Sequence, residues 1–141
     1  MQIKTDLPTH RRFRAVLAQL VDRLDHVPYW LLALPLRLAV AAVFWDSAQA
    51  HLANWDTTLA LFADEYKLPL LPPTVAAGLA VSIEVAAPIL LTMGLATRPV
   101  AALLLCMTAV IELLVYPQAW PTHIQWAAML LVLLCRGGGM L

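Results

Sequence analysis

The sequence predicts an all-α membrane protein, an antiparallel bundle of four transmembrane helices with an amphipathic helix before it and a short periplasmic interfacial helix inside it. Three observations predict this class. Apolar residues make up 62% of the chain and charged residues 13%, where a soluble domain carries about 25% charged residues, so polar side chains are too few to cover a globule in water. The apolar residues fall into four runs separated by stretches rich in proline, glycine and charge. Lys and Arg are unevenly shared among the connections, in the alternation that orients membrane helices. A length of 141 residues fits one domain, divided into a cytoplasmic or interfacial segment 1–28 and a transmembrane domain 29–141. The formal net charge is zero, which argues against a nucleic-acid partner. Cys106 and Cys135 sit in apolar runs without metal-ligand spacing and are expected to be buried small hydrophobes.

Residues 8–27 carry Phe13, Val16, Leu17, Leu20, Val21 and Leu24 at helical spacing, with Arg12, Arg14, Gln19, Asp22 and Arg23 on the other face. A basic amphipathic helix of this kind lies among lipid headgroups; the alternative is a helix packed under the bundle. The first apolar run begins near residue 29, too far along for an ordinary cleaved signal peptide. The first span is expected over residues 29–50. It opens on the interfacial rings Tyr29 and Trp30, bends at Pro35, and exceeds the roughly 20 residues a span needs. Between residues 51 and 72 the chain is mixed, and Trp55, Leu59, Phe62 and Tyr66 share a face. A short surface helix capped at Asp56 is predicted there.

The second span, residues 74–94, is rich in small residues that permit close helix approach. Ala76, Ala77, Ala80 and Ala87 on one side offer a contact for a homodimer. The turn Gly94-Leu-Ala-Thr-Arg-Pro99 leads to a third span over residues 100–116. The fourth, residues 122–136, has its apolar run only from Ile124 to Cys135 and reaches full length by drawing on the loop around His123. Lys4, Arg11, Arg12, Arg14 and Arg23 precede the first span. Lys67 stands among acids in the first connection, Arg98 in the second, no basic residue in the third, and Arg136 after the fourth. Both termini are therefore expected on the cytoplasmic side of the membrane.

From Leu36 onward the chain resembles the DoxX family of bacterial four-helix membrane proteins. The resemblance is carried by Leu36-Arg-Leu with Phe44-Trp45, by Trp55-Asp-Thr-Thr-Leu-Ala-Leu-Phe, and by Tyr66-Lys-Leu-Pro-Leu-Leu-Pro-Pro73. It continues through Glu84, Gly94-Leu-Ala-Thr-Arg98 and Val115-Tyr-Pro-Gln-Ala-Trp-Pro-Thr-His123. The family commonly ends its first helix with Ser-Gly and then Lys, where this chain has Ser47-Ala-Gln-Ala-His51, so His51 stands near the place of that lysine. The resemblance implies a bacterial inner membrane and a membrane partner in redox, copper or oxidative-stress biology: an accessory subunit, quinone-linked or beside a copper-binding protein.

Ionisable residues inside a bilayer are costly and each needs a reason. Arg37 and Glu84 are expected to pair across the first two spans, either to fix helix register or to let Glu84 transfer protons or bind a quinone or cation. Asp46, His51, Glu112 and His123 form a second group toward the periplasmic side. Of these, His51, His123 and Glu112 are candidates for a copper or zinc site or a proton relay to a quinone, against a reading as interfacial residues bonded to loop backbone. Trp45, Trp55, Trp120 and Trp126 belong to an aromatic belt or a stacked ligand pocket. No nucleophile with its base, phosphate loop or dinucleotide fingerprint is present. The functional expectations are an accessory redox subunit, a non-catalytic scaffold or metal-handling protein, and a small transporter.

Overall fold

The computed structural model describes residues 9–139, all of whose regular structure is helical. Lys4 and the first residue of the amphipathic segment lie outside the described residues. Helix α1 spans Thr9–Asp25 and α2 spans Tyr29–Ala53. A short helix α3, Trp55–Ala60, runs directly into a π-helical turn at Leu61–Tyr66. Helix α4 spans Pro73–Met93, and α5, Thr97–Val110, runs on into a second π-turn at Ile111–Val115. After a 3₁₀ turn at Pro117–Ala119, α6 spans Trp120–Arg136.

Among the described residues three stretches are long and apolar enough to cross a membrane: Tyr29–Ala53, Pro73–Met93 and Thr97–Val115. The fourth expected span, α6, has 17 residues, which at 1.5 Å per residue is about 25 Å. That is a few ångströms short of the roughly 30 Å hydrocarbon layer.

Helix α2 packs along α4 and α6, and α5 packs along α6 and α4. One apolar core, including Val40, Phe44, Leu91, Leu104, Leu130 and Leu133, fills the space among these four helices. A smaller cluster of Phe62, Ala76 and Ala77, flanked by Leu59 and Tyr66, joins the first π-turn to the start of α4. The small-residue side of α4 is thus used within the chain: Ala76, Ala77 and Ala87 are buried and Ala80 packs on Phe62's cluster. It is not a free face for a second copy.

Local chemistry sets the element ends. Asn54, not Asp56, caps α3, its Oδ1 accepting from the Thr57 N–H at 3.1 Å; the amide oxygen satisfies an orphan donor of the first turn. Gly94 closes α4 at φ 76°, a left-handed conformation that glycine adopts without a Cβ penalty. Pro35 sits inside α2 without ending it. Both cysteines are exposed, contrary to the buried placement expected of them, and Cys106 lines an apolar cavity; a thiol is apolar enough that such placement costs little.

Helix α1 makes no substantial packing contact with the other elements. Phe13 is 64% exposed and Leu24 68%, and the rest of its apolar stripe is exposed too. It is amphipathic and uncovered, not packed under the other helices.

Candidate functional site

A cavity of about 400 Å³ opens among α2, α4, α5, α6 and the first π-turn. Its walls are mainly apolar, including Phe44, Ile83, Leu103 and Met107, and its polar lining comes from Ser47, His51, Glu84, His123, Tyr66 and Tyr116. Phe44, Ser47 and His51 follow at spacings of three and four on α2, so they lie on one helix face.

Glu84 is the most enclosed of these groups, only 3% exposed. One carboxylate oxygen accepts from Ser47 Oγ at 2.9 Å and the other from His51 Nδ1 at 2.8 Å. A buried charge is tolerated when its hydrogen-bonding capacity is met, and two donors from α2 meet it here. Because Nδ1 is committed to the carboxylate, the His51 Nε2 is left to act as acceptor when the ring is neutral and donor when it is charged. The ring's backbone is anchored as well: Thr58 Oγ1 donates to the His51 carbonyl at 2.7 Å and to the Asn54 carbonyl at 3.1 Å. The buried Thr58 hydroxyl therefore ties α3 to the last turn of α2, whose carbonyls lack helical partners.

The expected pairing of Arg37 with Glu84 does not occur. Ser47 lies ten residues beyond Arg37, about 15 Å along the helix, and Glu84 meets α2 at the level of Ser47 and His51. The difference arises at the start of α4. Its first two turns, with Ala76 and Ala77, extend past the end of α2 and are covered by the π-turn at Phe62. Equating the ends of the two helices therefore misplaces Glu84 by about two turns.

The second histidine has its own carboxylate. His123 Nδ1 donates to Glu112 Oε2 at 2.6 Å. His123 packs against Trp126 at 5.0 Å between ring centroids, and Trp126 against Phe44 at 5.8 Å. His123 borders both the main cavity and a smaller one of about 240 Å³ that Glu112 also lines. Glu112 lies in the second π-turn, where the extra residue shifts the side chains that follow relative to an α-helix. His51, His123 and Glu112 do not gather as a metal-binding trio, since His51 is bonded to Glu84 instead. Among the described residues no group of three or more His, Cys, Asp or Glu is placed to hold a metal ion, and the donor set fits neither copper nor zinc. Asp46 is exposed and apart from both pairs. Of the four tryptophans assigned to a belt or a pocket, Trp126 lines the cavity and Trp45, Trp55 and Trp120 are exposed.

An aromatic chain closes the cavity at its outer edge. Phe62 meets Tyr66 edge-on at 4.8 Å, and Tyr66 meets Tyr116 edge-on at 5.5 Å. The Tyr116 hydroxyl donates to Glu65 Oε1 at 2.6 Å. Both phenols are raised above their usual range. In Tyr66 burial is the main cause, opposed by its hydrogen bond with Tyr116; in Tyr116 burial leads and the bond to Glu65 adds to it. Tyr66 ends the first π-turn, Tyr116 directly follows the second, and the two π-turns touch. Sequence reasoning missed Ser47, Tyr66, Tyr116, Glu65 and Thr58 as site residues. The one available signal was Ser47 at four residues from His51, which puts a hydroxyl and an imidazole on one helical face.

Long apolar helices around a core with buried, mutually bonded ionisable groups define an all-helical membrane protein. The DoxX family model matches residues 32–117, more than half of the chain, and the protein belongs to the DoxX family. The match includes Ser47, His51, Glu84, Tyr66, Tyr116 and Glu112 and leaves out α1 and the whole of α6, His123 with it. No curated protein and no solved structure matches the chain.

Proposed function

We propose that the protein is a four-span inner-membrane subunit with both termini in the cytoplasm, and that its cavity binds a quinone headgroup on behalf of a redox partner. The observation that carries this reading is the cavity itself: apolar walls around a bonded Ser47–Glu84–His51 group. Its volume of about 400 Å³ is within the range of small-molecule sites, roughly 300–1,000 Å³. A quinone needs apolar walls for its ring and a few hydrogen-bonding groups for its carbonyls, and a bound quinone supplies two-electron, two-proton redox chemistry. His51 Nε2, a donor when the ring is charged, and the Tyr66 hydroxyl are the groups on the lining suited to face those carbonyls. Glu84 holds His51 in one tautomer and balances a proton on it. Four spans are favoured over three because α6 packs its buried Leu130 and Leu133 into the same core as the three longer helices. The Lys and Arg distribution supports the orientation.

The test is purification from native membranes in mild detergent, followed by solvent extraction and identification of bound proteins. The expected result is a quinone in the extract of the wild type, its loss in Glu84→Gln with helicity unchanged, and an oxidoreductase subunit bound. A quinone-free protein, or Glu84→Gln that retains the quinone, overturns the reading. A scaffold role predicts a bound partner without a cofactor.

A further inference from the structure

The end of the molecule remote from the cavity presents a different chemistry. Arg37 is 8% exposed, and its Nε and Nη1 are buried without a hydrogen-bond partner. A guanidinium carries a permanent charge and five donors, and leaving such a group unanswered in a helix core costs several kcal/mol. Among the described residues no ion pair involves Arg37, Arg98 or Arg136. From α2 onward the acidic residues are Asp46, Asp56, Asp64, Glu65, Glu84 and Glu112. All of them belong to the cavity half.

Helical side chains lean toward the amino terminus of their helix, which carries the Arg37 guanidinium toward the level of Ala33, one turn back. Several elements meet at that level. The Gly139 backbone lies so close that a Cβ there would sit 2.9 Å from Trp30 Cα and 3.7 Å from Ala33 Cβ. Gly138 packs on the buried Thr97, and Gly137 on the Arg98 side chain. Arg98 Nη2 donates to the Cys135 carbonyl at 3.5 Å. Arg136 Cζ lies 5.0 Å from the centroid of Tyr29, whose hydroxyl donates to the Gly137 carbonyl at 2.8 Å. Three arginines therefore stand around the start of α2, the start of α5 and the end of α6, one enclosed and two at the rim. Among the described residues Arg98 has one carbonyl and Arg136 one ring for a partner.

We propose that this end is a phosphate site, with Arg37 as the enclosed donor and Arg98 and Arg136 as its rim. Planar guanidinium groups without a carboxylate are suited to phosphate oxygens, and basic pockets between membrane helices take up anionic headgroups. Two sources present that chemistry at a membrane surface, the headgroup of an anionic phospholipid and inorganic phosphate. Helix α1 favours the lipid. It joins α2 through only three residues, carries Arg11, Arg12, Arg14 and Arg23, and turns an uncovered apolar stripe outward, a combination that lies down on an anionic bilayer. The site is separate from the cavity and stands whether or not a quinone binds there.

The test uses the full chain in detergent. Native mass spectrometry is run with equimolar phosphatidylglycerol and phosphatidylcholine, and unfolding temperature is measured with and without inorganic phosphate. The wild type is expected to retain phosphatidylglycerol over phosphatidylcholine by about tenfold or more, the ratio that one charge-assisted hydrogen-bonded contact provides. Arg37→Met should bring the ratio near one, and Arg98→Gln should lower it in part. A rise in unfolding temperature with phosphate, absent in Arg37→Met and without any lipid preference, supports the same site with a free ion as its ligand. Equal retention of the two lipids together with no response to phosphate overturns the proposal, and so does an Arg37→Met protein that behaves as the wild type. Should Arg37→Met fail to fold, the wild-type lipid ratio and Arg98→Gln decide alone.

Discussion

Glu84 and Arg37 are both buried charges on long apolar helices, yet among the described residues only Glu84 is answered. Around Glu84 the ionisable groups are paired with one another: Ser47 and His51 on the carboxylate, Thr58 beneath His51, Glu112 on His123, Glu65 on Tyr116. Around Arg37 the described residues supply no acid and leave two nitrogens unbonded. The first arrangement is self-sufficient and surrounds an open volume. The second is incomplete without something from outside. Burial alone does not separate a structural charge from a binding one; the count of unanswered donors does.

The comparison can be broken by substitution. Glu84→Ala strands the Ser47 hydroxyl and the His51 ring in an apolar core, and a loss of roughly 3 kcal/mol or more is expected, since removing one partner of a buried pair is severe. A chemical-denaturation curve in detergent that shifts by less than a third of that would mean water enters the cavity freely. Arg37→Met, in lipid-free detergent, should instead be neutral or stabilising, because an apolar chain of similar length replaces an unanswered charge. Equal destabilisation by both substitutions would erase the distinction between the two ends.

Smaller effects sharpen it. Thr58→Val removes one hydroxyl that bonds two carbonyls and should cost about 1 kcal/mol, read as a lower unfolding temperature with helicity kept. The smallest effect is spectroscopic. Tyr66 and Tyr116 are two of the three tyrosines, and both should ionise above the ordinary value of 10.0 in an absorbance titration. For an acid whose folded value is raised, the associated stability is complete below the unfolded value and is lost as pH rises through the folded one. Alkali beyond pH 10 should therefore loosen the aromatic chain before neutral or acidic conditions do. Glu65→Gln should lower the midpoint of one tyrosine in part only, because burial is the leading cause of its shift.

Much of the helical layout was legible because it follows from composition and period. The run from Tyr29, the small-residue run after Pro73 and the Gly94 turn are written in local chemistry, and their observed limits fall within three residues of those expected. The site was less legible. Which carboxylate His51 takes depends on how far α4 overhangs α2, and that overhang is set by how Phe62 and Ala76 stack, a contact between segments with no local signature. The caps show the same limit on a smaller scale. Asp56 and Asn54 are both good capping residues, and only the path of the chain out of α2 selects Asn54. Arg37 was misread because pairing opposite charges presumes that the chain supplies both.

The two π-turns carry a consequence for how the cavity's mouth is encoded. A π-turn holds one residue more than an α-turn. Deleting one residue from Leu61–Tyr66 or from Ile111–Val115 would restore a regular helix and rotate the tyrosine at its end by about 100°, parting Tyr66 from Tyr116. Single substitutions in these stretches leave that surplus residue in place, and outward positions such as Leu113 and Leu114 should accept many side chains. The rim is thus specified by a count of residues rather than by their identities, and one-residue deletions, not point changes, are the mutations to which it is most sensitive.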